Sequence, residues 1–258
     1  MFISQRGMVG MSRISSLQYE IRFRKNQEYR NAVWQILCSR YFSRYVAENA
    51  TVLDLGAGWG EFINNIRAGH KFAMDLNPAT RTRLSKKITF LQQDCSRTWQ
   101  IEANSLDVIF TSNFLEHLPD KERLEQVISE AHRYLKPNGL MICLGPNIKY
   151  VPGSYWDFWD HYIPLTELSV SELLRMQAFT VDQCIPRFLP FSMSTGITPP
   201  LFTVSLYLKM KFVWSLLGKQ FLVVARKVVS KPEKLSNTLQ RTDLPQLQPG
   251  CTTEPSGV

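Results

Sequence analysis

The sequence predicts an α/β protein built around a mostly parallel β-sheet, and two features support this prediction. Strand-like apolar runs and amphipathic helical runs alternate from Thr51 to Leu144, which is the pattern of repeated βα units with right-handed crossovers. The first strand-like run also ends in a turn with three glycines, Gly56, Gly58 and Gly60, that leads into a helix. With 258 residues, 44% of them apolar, the chain is long enough to bury a substantial core.

Composition and charge argue against several other classes of protein. No apolar run in the sequence reaches the roughly 18 residues needed to span a bilayer, and residues 1–16 lack a secretory signal, so we expect a cytoplasmic protein with membrane association left open. The five cysteines are scattered, without a CxxC motif or a Cys/His pair at metal-ligand spacing, so neither a disulfide framework nor a zinc site is indicated. A net charge of +8 keeps nucleic acids and anionic surfaces open as partners.

The chain divides into three parts by composition and periodicity. Residues 1–24 show no period and are predicted to be mobile, whereas a helical apolar pattern begins near Lys25 and precedes the first strand. Residues 25–229 are predicted to form one domain, with an insertion at about 187–218 before the last strand. Residues 230–258 are polar and aperiodic, so we expect a disordered tail. Ser169 and Glu172 have the spacing of a capping box that opens a helix through Ala178.

The glycine turn has the chemistry of a binding turn for a cationic ligand. A dinucleotide turn normally reads GxGxxG, but here the glycines fall at alternate positions and Asp54 precedes the first of them. An anionic Asp54 would repel a pyrophosphate and would attract an amino group. The glycine N–H groups at the helix start are expected to point toward such a ligand. A tight βα connection with no ligand is the alternative.

Three segments together resemble the class I S-adenosylmethionine (SAM)-dependent methyltransferases. They are TVLDLGAGWGEF at 51–62, NFLEHL at 113–118, and LKPNGLMICLGPN at 135–147, and they occur in the family's order over roughly Thr51 to Lys227. The resemblance implies a three-layer sandwich with a mostly parallel seven-stranded sheet, the Rossmann-like methyltransferase fold. It also implies an N-terminal helix, an antiparallel closing pair of strands and, here, a helical insertion before the last strand.

The resemblance implies SAM as the cofactor and assigns its binding residues. The turn would lie along the methionyl part, Asp75 would accept the ribose hydroxyls, and Asp94 would accept a hydrogen bond from the adenine amino group. A lone Asp75 or Asp94 can also serve simply as a turn former or turn cap. The full set of predicted cofactor-binding residues is Asp54, Gly56, Ala57, Gly58, Asp75, Leu76, Asp94, Cys95, Asn113 and Phe114.

The acceptor is expected beside the aromatic loop from Gly145 to Thr166, which follows a strand end and holds six aromatic residues. His161 is the candidate general base, because its unperturbed pKa lies near 6.5 and Asp157 and Asp160 can orient it. A structural histidine is the alternative. His117 is a second candidate that faces either cofactor or acceptor, or else only begins a helix. No metal is predicted, and the expected reaction is methylation of a hydroxyl on a small molecule, such as a sugar or a lipid-linked intermediate.

The basic insertion and the net charge keep other partners and functions open. Residues 201–219 combine basic, aromatic and aliphatic side chains, which suits contact with an anionic membrane or a lipidic acceptor. A dimer face, a lid and a core-packed helix pair are the alternatives. Among functions, the rivals are an RNA-directed methyltransferase, a SAM-binding relative without turnover, and an NAD-dependent oxidoreductase, which the glycine spacing disfavours.

Overall fold

A computed structural model describes residues 26–190 and 198–228. The predicted mobile segment 1–24 and the predicted disordered tail 230–258 lie outside these residues. The described residues form one seven-stranded sheet. Its strands are β1 (Thr51–Leu55), β2 (His70–Met74), β3 (Thr89–Leu91), β4 (Leu106–Ser112), β5 (Leu135–Pro146), β6 (Phe179–Leu189) and β7 (Gln220–Lys227).

The strand order is β3-β2-β1-β4-β5-β7-β6, which confirms the predicted mostly parallel sheet. β1 to β5 pair in parallel, whereas β7 runs antiparallel to both β5 and β6, as the closing pair was expected to do. Because β1 and β4 are neighbours, the chain winds outward in opposite directions from them. The carboxyl ends of β1 and β4 therefore form the switch point where open α/β sheets bind ligands.

Helices cover both faces of the sheet. They are α1 (Gln27–Arg40), α2 (Glu61–Asn65), α3 (Lys121–Tyr134), α4 (Glu167–Met176), α5 (Leu201–Lys209) and α6 (Lys211–Leu217), with short 3₁₀ turns at Phe42–Arg44, Pro78–Arg83 and Leu115–His117.

The predicted helix start at Ser169 and Glu172 is wrong. The capping box joins Thr166 and Ser169 instead: the Thr166 hydroxyl accepts the Ser169 N–H at 3.1 Å, so α4 begins three residues earlier and ends at Met176.

Two hydrophobic cores sandwich the sheet because successive residues of its central strands point to opposite faces. On β4, Val108 and Phe110 face the core under α1 and α2, whereas Ile109 faces the core under α3 and α4. Phe62 of α2 stacks on Phe110 with ring centroids 3.7 Å apart. The three predicted layers are therefore present.

The insertion forms the two helices α5 and α6, as predicted, and one side of the pair packs on the core. Leu208 and Trp214 are buried, and Trp214 meets the Phe188 ring edge to face at 5.0 Å. None of the described helices is both long and apolar enough to cross a membrane. The described cysteines Cys38, Cys95, Cys143 and Cys184 are free thiols.

Candidate cofactor and acceptor site

The glycine turn adopts a backbone that side chains disfavour, and one of its glycines has no room for a side chain. Gly56, Gly58 and Gly60 have φ values of 72°, 53° and 72°, in the left-handed region. A Cβ atom on Gly56 would lie 2.2 Å from Cγ of Phe114, the residue predicted to line the cofactor after β4. The turn after β1 and the segment after β4 therefore touch at the switch point.

Four N–H groups of this turn, those of Gly56, Ala57, Gly58 and Gly60, donate to acceptors within the protein. The N–H groups of Gly56 and Ala57 donate to the Met74 carbonyl oxygen at 3.0 and 3.1 Å. That of Gly58 donates to the Asp75 carboxylate at 2.8 Å, and that of Gly60 to the Ala57 carbonyl oxygen at 2.8 Å. These four N–H groups are therefore used within the protein, and the Asp75 carboxylate that accepts one of them places negative charge where a pyrophosphate would lie.

Three carboxyl groups gather around the turn. Asp54 is buried at the end of β1, and burial, with a further contribution from the charge of Glu61, raises its pKa well above the usual range. The pKa of Glu61 is also raised by burial, although the guanidinium of Arg30 opposes that rise. Asp75 adds a smaller repulsion on Asp54. A ligand with a cationic group would relieve this accumulation of negative charge.

Arg30 of α1 is a neighbour of the glycine turn that the sequence analysis did not identify. It is only 5% exposed and forms an ion pair with Glu61. Its guanidinium lies over Trp59, 5.4 Å from the ring centroid, and that of Arg83 lies over the same residue at 3.9 Å. The helix before the first strand therefore closes over the glycine turn. In the sequence, the acidic residue Glu61 at the start of α2 is the feature that could have indicated a basic partner such as Arg30.

Asp75 stands at the carboxyl end of β2 with both carboxylate oxygens beside the turn. Oδ2 accepts the Gly58 N–H and Oδ1 accepts the Asn77 N–H, each at 2.8 Å. Burial raises the pKa of Asp75, and these two N–H groups oppose that rise. Each oxygen keeps a lone pair for a further donor, as two ribose hydroxyls would require. The neighbouring Leu76 side chain is 54% exposed and available to a ligand surface.

Asp94 combines the turn-capping geometry with exposure at the same edge of the sheet. Its Oδ1 accepts both the N–H and the hydroxyl of Ser96, at 2.9 and 2.7 Å, which is an Asx turn. Its Oδ2 lies 3.5 Å from the Arg123 guanidinium. Cys95 is buried, and burial raises the pKa of its thiol to about 12. The adenine roles of Asp94 and Cys95 remain predictions.

The segment after β4 joins the glycine turn to a histidine cluster. Asn113 has a left-handed φ of 49°, and its N–H donates to the Leu144 carbonyl oxygen at 2.9 Å. Phe114 lies against Gly56, and the following 3₁₀ turn places Glu116 and His117 on the side of the aromatic loop.

The aromatic loop is fastened to that turn through its backbone. The N–H groups of Tyr162 and Ile163 donate to the Glu116 carbonyl oxygen at 2.8 and 3.2 Å. The Tyr155 hydroxyl bonds the Ile163 carbonyl oxygen, and Tyr155 is fully buried. In contrast, Trp159 is 78% exposed, so the loop aromatics divide between core and surface.

The two candidate histidines come together, although they are distant in sequence. The rings of His117 and His161 are 4.9 Å apart, edge to face, and Phe158 stacks on His161 at 4.9 Å. His117 Nδ1 lies 2.7 Å from the Asp160 carbonyl oxygen and 3.5 Å from its carboxylate, so Asp160 orients His117. Glu116 is fully buried beside them, and that burial raises its pKa.

Comparison with known proteins agrees with this fold. Residues 53–143 match the profile of the family described as "Methyltransferase domain". The sequence is 37% identical over 99 residues to phosphoethanolamine N-methyltransferase 1 of Triticum aestivum, an alignment that spans 34% of this chain and 20% of that relative. The chain thus covers only about a fifth of that relative's length.

Two solved structures with the same fold show how far it constrains chemistry. A SAM-dependent methyltransferase from Archaeoglobus fulgidus superposes with a TM-score of 0.59 at 21% identity, covering 82% of this chain and 99% of that one. The (4+2) cyclase SpnF superposes with a TM-score of 0.53 at 15% identity, covering 77% and 81%. The fold is therefore shared by proteins named for different reactions.

The fold and the family match agree on the class. Residues 53–143 match a methyltransferase-domain family and the fold is that of a SAM-dependent methyltransferase, which supports a class I SAM-dependent methyltransferase. The matched region ends at residue 143, before the aromatic loop, so the match covers the cofactor half and leaves the acceptor half to be argued from its own residues.

Proposed function

We propose that this protein transfers a methyl group from SAM to a hydroxyl group of a small-molecule acceptor. The observation that carries the proposal is the acid-lined glycine turn. Asp54, Glu61 and Asp75 gather around a turn whose Gly56, Ala57, Gly58 and Gly60 N–H groups donate within the protein, which favours a ligand with cationic groups over a dinucleotide. SAM, when bound, supplies a methyl group activated by a positively charged sulfur.

The binding residues act on different parts of that ligand. Asp75 is proposed to accept the two ribose hydroxyls, while Asp54 and the backbone from Gly56 to Gly58 lie along the amino-acid part. Asp94, with the backbone of Cys95, is proposed to bind the adenine edge. Leu76, Asn113 and Phe114 then line the remaining walls.

The acceptor is proposed to lie between the glycine turn and the histidine cluster. Phe114 links the two, since it touches Gly56 and lies three residues before His117. His161 is the proposed general base, with His117 beside it as a second group that orients the acceptor hydroxyl. A sugar or lipid-linked hydroxyl suits the exposed rings of Trp156 and Trp159 at the loop surface.

The test is production of S-adenosylhomocysteine from SAM with a panel of sugar, lipid-linked and amine acceptors. We expect turnover with hydroxylated acceptors, and His161→Ala should lower kcat while leaving the Kd for SAM nearly unchanged. Turnover only with amines would overturn the hydroxyl assignment. Unchanged turnover in His161→Ala would remove its role as the base. Tight SAM binding with no turnover on any acceptor would favour the SAM-binding relative without catalysis.

RNA is the macromolecular acceptor that the positive charge keeps open. If RNA is the acceptor, the protein should be retained on immobilised RNA, this retention should fall steeply with salt concentration, and methyl groups should be incorporated into that RNA. Small-molecule turnover without RNA labelling would support the proposal above.

We also propose that α5 and α6 contact an anionic lipid surface. Phe202, Phe212 and Leu216 are each at least 66% exposed on these helices, and Lys209 and Lys211 lie between them in sequence. Vesicles of phosphatidylcholine with added phosphatidylserine should bind the protein, and Phe212→Ser should reduce that binding. Equal recovery with and without vesicles would refute the proposal, and a concentration-dependent dimer without vesicle binding would assign these helices to self-association.

A further inference from the structure

Glu116, His117 and His161 form a cluster of metal-ligand type that the spacing of the sequence did not indicate. Each residue offers one ligand atom, and these atoms all lie within 4.8 Å of one another. Glu116 is 1% exposed and His161 is 7% exposed. Two imidazoles and a carboxylate converging in a largely buried place are a recurrent ligand set for divalent transition metals.

The hydrogen bond made by Nδ1 of His117 leaves the lone pair of Nε2 available to bind a metal ion. Its Nδ1 lies 2.7 Å from the carbonyl oxygen of Asp160, which can only accept, so Nδ1 carries the hydrogen and Nε2 carries the lone pair. Metal-binding histidines usually donate their other N–H to a carbonyl or carboxylate in this way. The Asp160 carboxylate, 3.5 Å from the same nitrogen, reinforces the arrangement.

The Glu116 carboxylate is buried with an oxygen that lacks a hydrogen-bond partner among the described residues. That oxygen, Oε2, makes no hydrogen bond with the described residues. A buried carboxylate oxygen needs a donor or a cation, because its desolvation is otherwise uncompensated. A cation held between this oxygen and the imidazoles would provide that compensation.

Backbone hydrogen bonds hold the segments that carry these three residues next to one another. Glu116 and His117 share one 3₁₀ turn, and the loop that carries His161 is bonded to the Glu116 carbonyl oxygen by the next two residues, Tyr162 and Ile163. Tetrahedral zinc places its ligand atoms about 3.3 Å apart, so donors that lie within 4.8 Å of one another would close by up to about 1.5 Å on an ion.

We propose that Glu116, His117 and His161 bind one divalent transition metal ion of the zinc type, with an open coordination position. Magnesium is disfavoured because it prefers six oxygen ligands. Three protein ligands with one open position are the pattern of catalytic rather than structural sites. Binding of the ion does not depend on the proposed function. Only the assignment of the open coordination position to the acceptor hydroxyl rests on the proposed function.

A bound ion changes the role of His161 from base to ligand. A hydroxyl bound to a divalent cation loses its proton more readily, so that proton would pass to water rather than to His161. The acceptor oxygen then forms its bond to the methyl carbon as the carbon–sulfur bond breaks, and the bonding pair stays on sulfur. Methyl transfer by this route stops on chelation, whereas transfer with His161 as the base does not.

Zinc titration of chelator-stripped protein by calorimetry tests the proposal. We expect one Zn²⁺ per chain, with binding weakened by at least about 100-fold in Glu116→Gln and in His117→Gln. The matched controls are His70→Gln and His132→Gln, which change the other two histidines of the chain and should bind zinc as the unaltered protein does. The same zinc affinity in Glu116→Gln and His117→Gln as in the controls would overturn the proposal.

Cobalt absorption and SAM binding keep the test decisive if a variant fails to fold. Co²⁺ added to the unaltered protein should give the visible bands of low-coordinate cobalt, and preference for Mg²⁺ with no such bands would overturn the assignment. SAM binding is measured in parallel without metal. Normal SAM binding with no zinc site refutes this inference alone, and normal zinc binding with no SAM binding refutes the proposed function alone.

Discussion

Replacing Asp75 by alanine is the most direct perturbation of the proposed cofactor site. Each hydrogen bond to a charged group contributes about 1.5–3 kcal/mol, and the partial exposure of Asp75 places two ribose bonds at the low end. Their loss amounts to about 3 kcal/mol, which is about a 100-fold increase in the Kd for SAM. The substitution also removes the acceptor of the Gly58 and Asn77 N–H groups, so part of any effect can come from the turn.

A ligand cycle separates these two contributions. Calorimetry with S-adenosylhomocysteine and with its 2′-deoxy analogue gives the cost of removing a ribose hydroxyl, in the unaltered protein and in Asp75→Ala. We expect that cost to be large in the former and nearly absent in the latter. Asp182→Ala, which removes a carboxylate from β6, is the control and should behave as the unaltered protein does. An equal cost in both proteins would refute the ribose assignment, whatever the change in affinity.

Two further predictions concern the turn and its acids. Gly56→Ala should lower the free energy of unfolding by about 2–4 kcal/mol, because the left-handed φ and the collision with Phe114 both oppose a Cβ atom. Gly153 has open space around it, so Gly153→Ala should lower the free energy of unfolding by less than about 1 kcal/mol. Chemical denaturation compares the two variants, and similar losses would contradict the packing argument. Burial raises the pKa values of Asp54 and Glu61, so the folded state holds their protons more tightly than the unfolded state does, and the stability of the ligand-free protein should fall as pH rises through those raised values. Over the same interval the affinity for cationic SAM should rise. Melting curves and calorimetry at a series of pH values above the ordinary carboxyl pKa would detect both changes, and SAM affinity that falls with pH would contradict the charge argument.

The fold was predictable because it is encoded locally. Apolar runs of strand length, a glycine turn and amphipathic helices follow one another in the chain, and each pattern is readable within about a dozen residues. The same reasoning placed Asp54, Asp75 and Asp94 at strand ends, where a parallel sheet brings them to one edge. The start of α4 was misplaced because Thr166 and Ser169 form a capping box without an acidic residue.

The parts that escaped prediction depend on contacts between distant segments. The burial of Arg30 follows from its ion pair with Glu61, which no helical pattern in α1 reveals. The meeting of His117 and His161 depends on backbone bonds from the aromatic loop to Glu116, and a search for metal ligands at short spacing does not find such a pair. The bonds from the Gly56, Ala57 and Gly58 N–H groups to Met74 and Asp75 are likewise contacts between segments that the local pattern does not reveal.

Calorimetric titration of the purified protein with SAM and, separately, with NAD⁺ tests the central claim most directly. The acid-lined turn predicts saturable binding of one SAM per chain, competition by S-adenosylhomocysteine, and no detectable heat from NAD⁺. Binding of NAD⁺ with no binding of SAM would contradict the account, because it would mean that a pyrophosphate is accepted where Asp54, Glu61 and Asp75 should repel it.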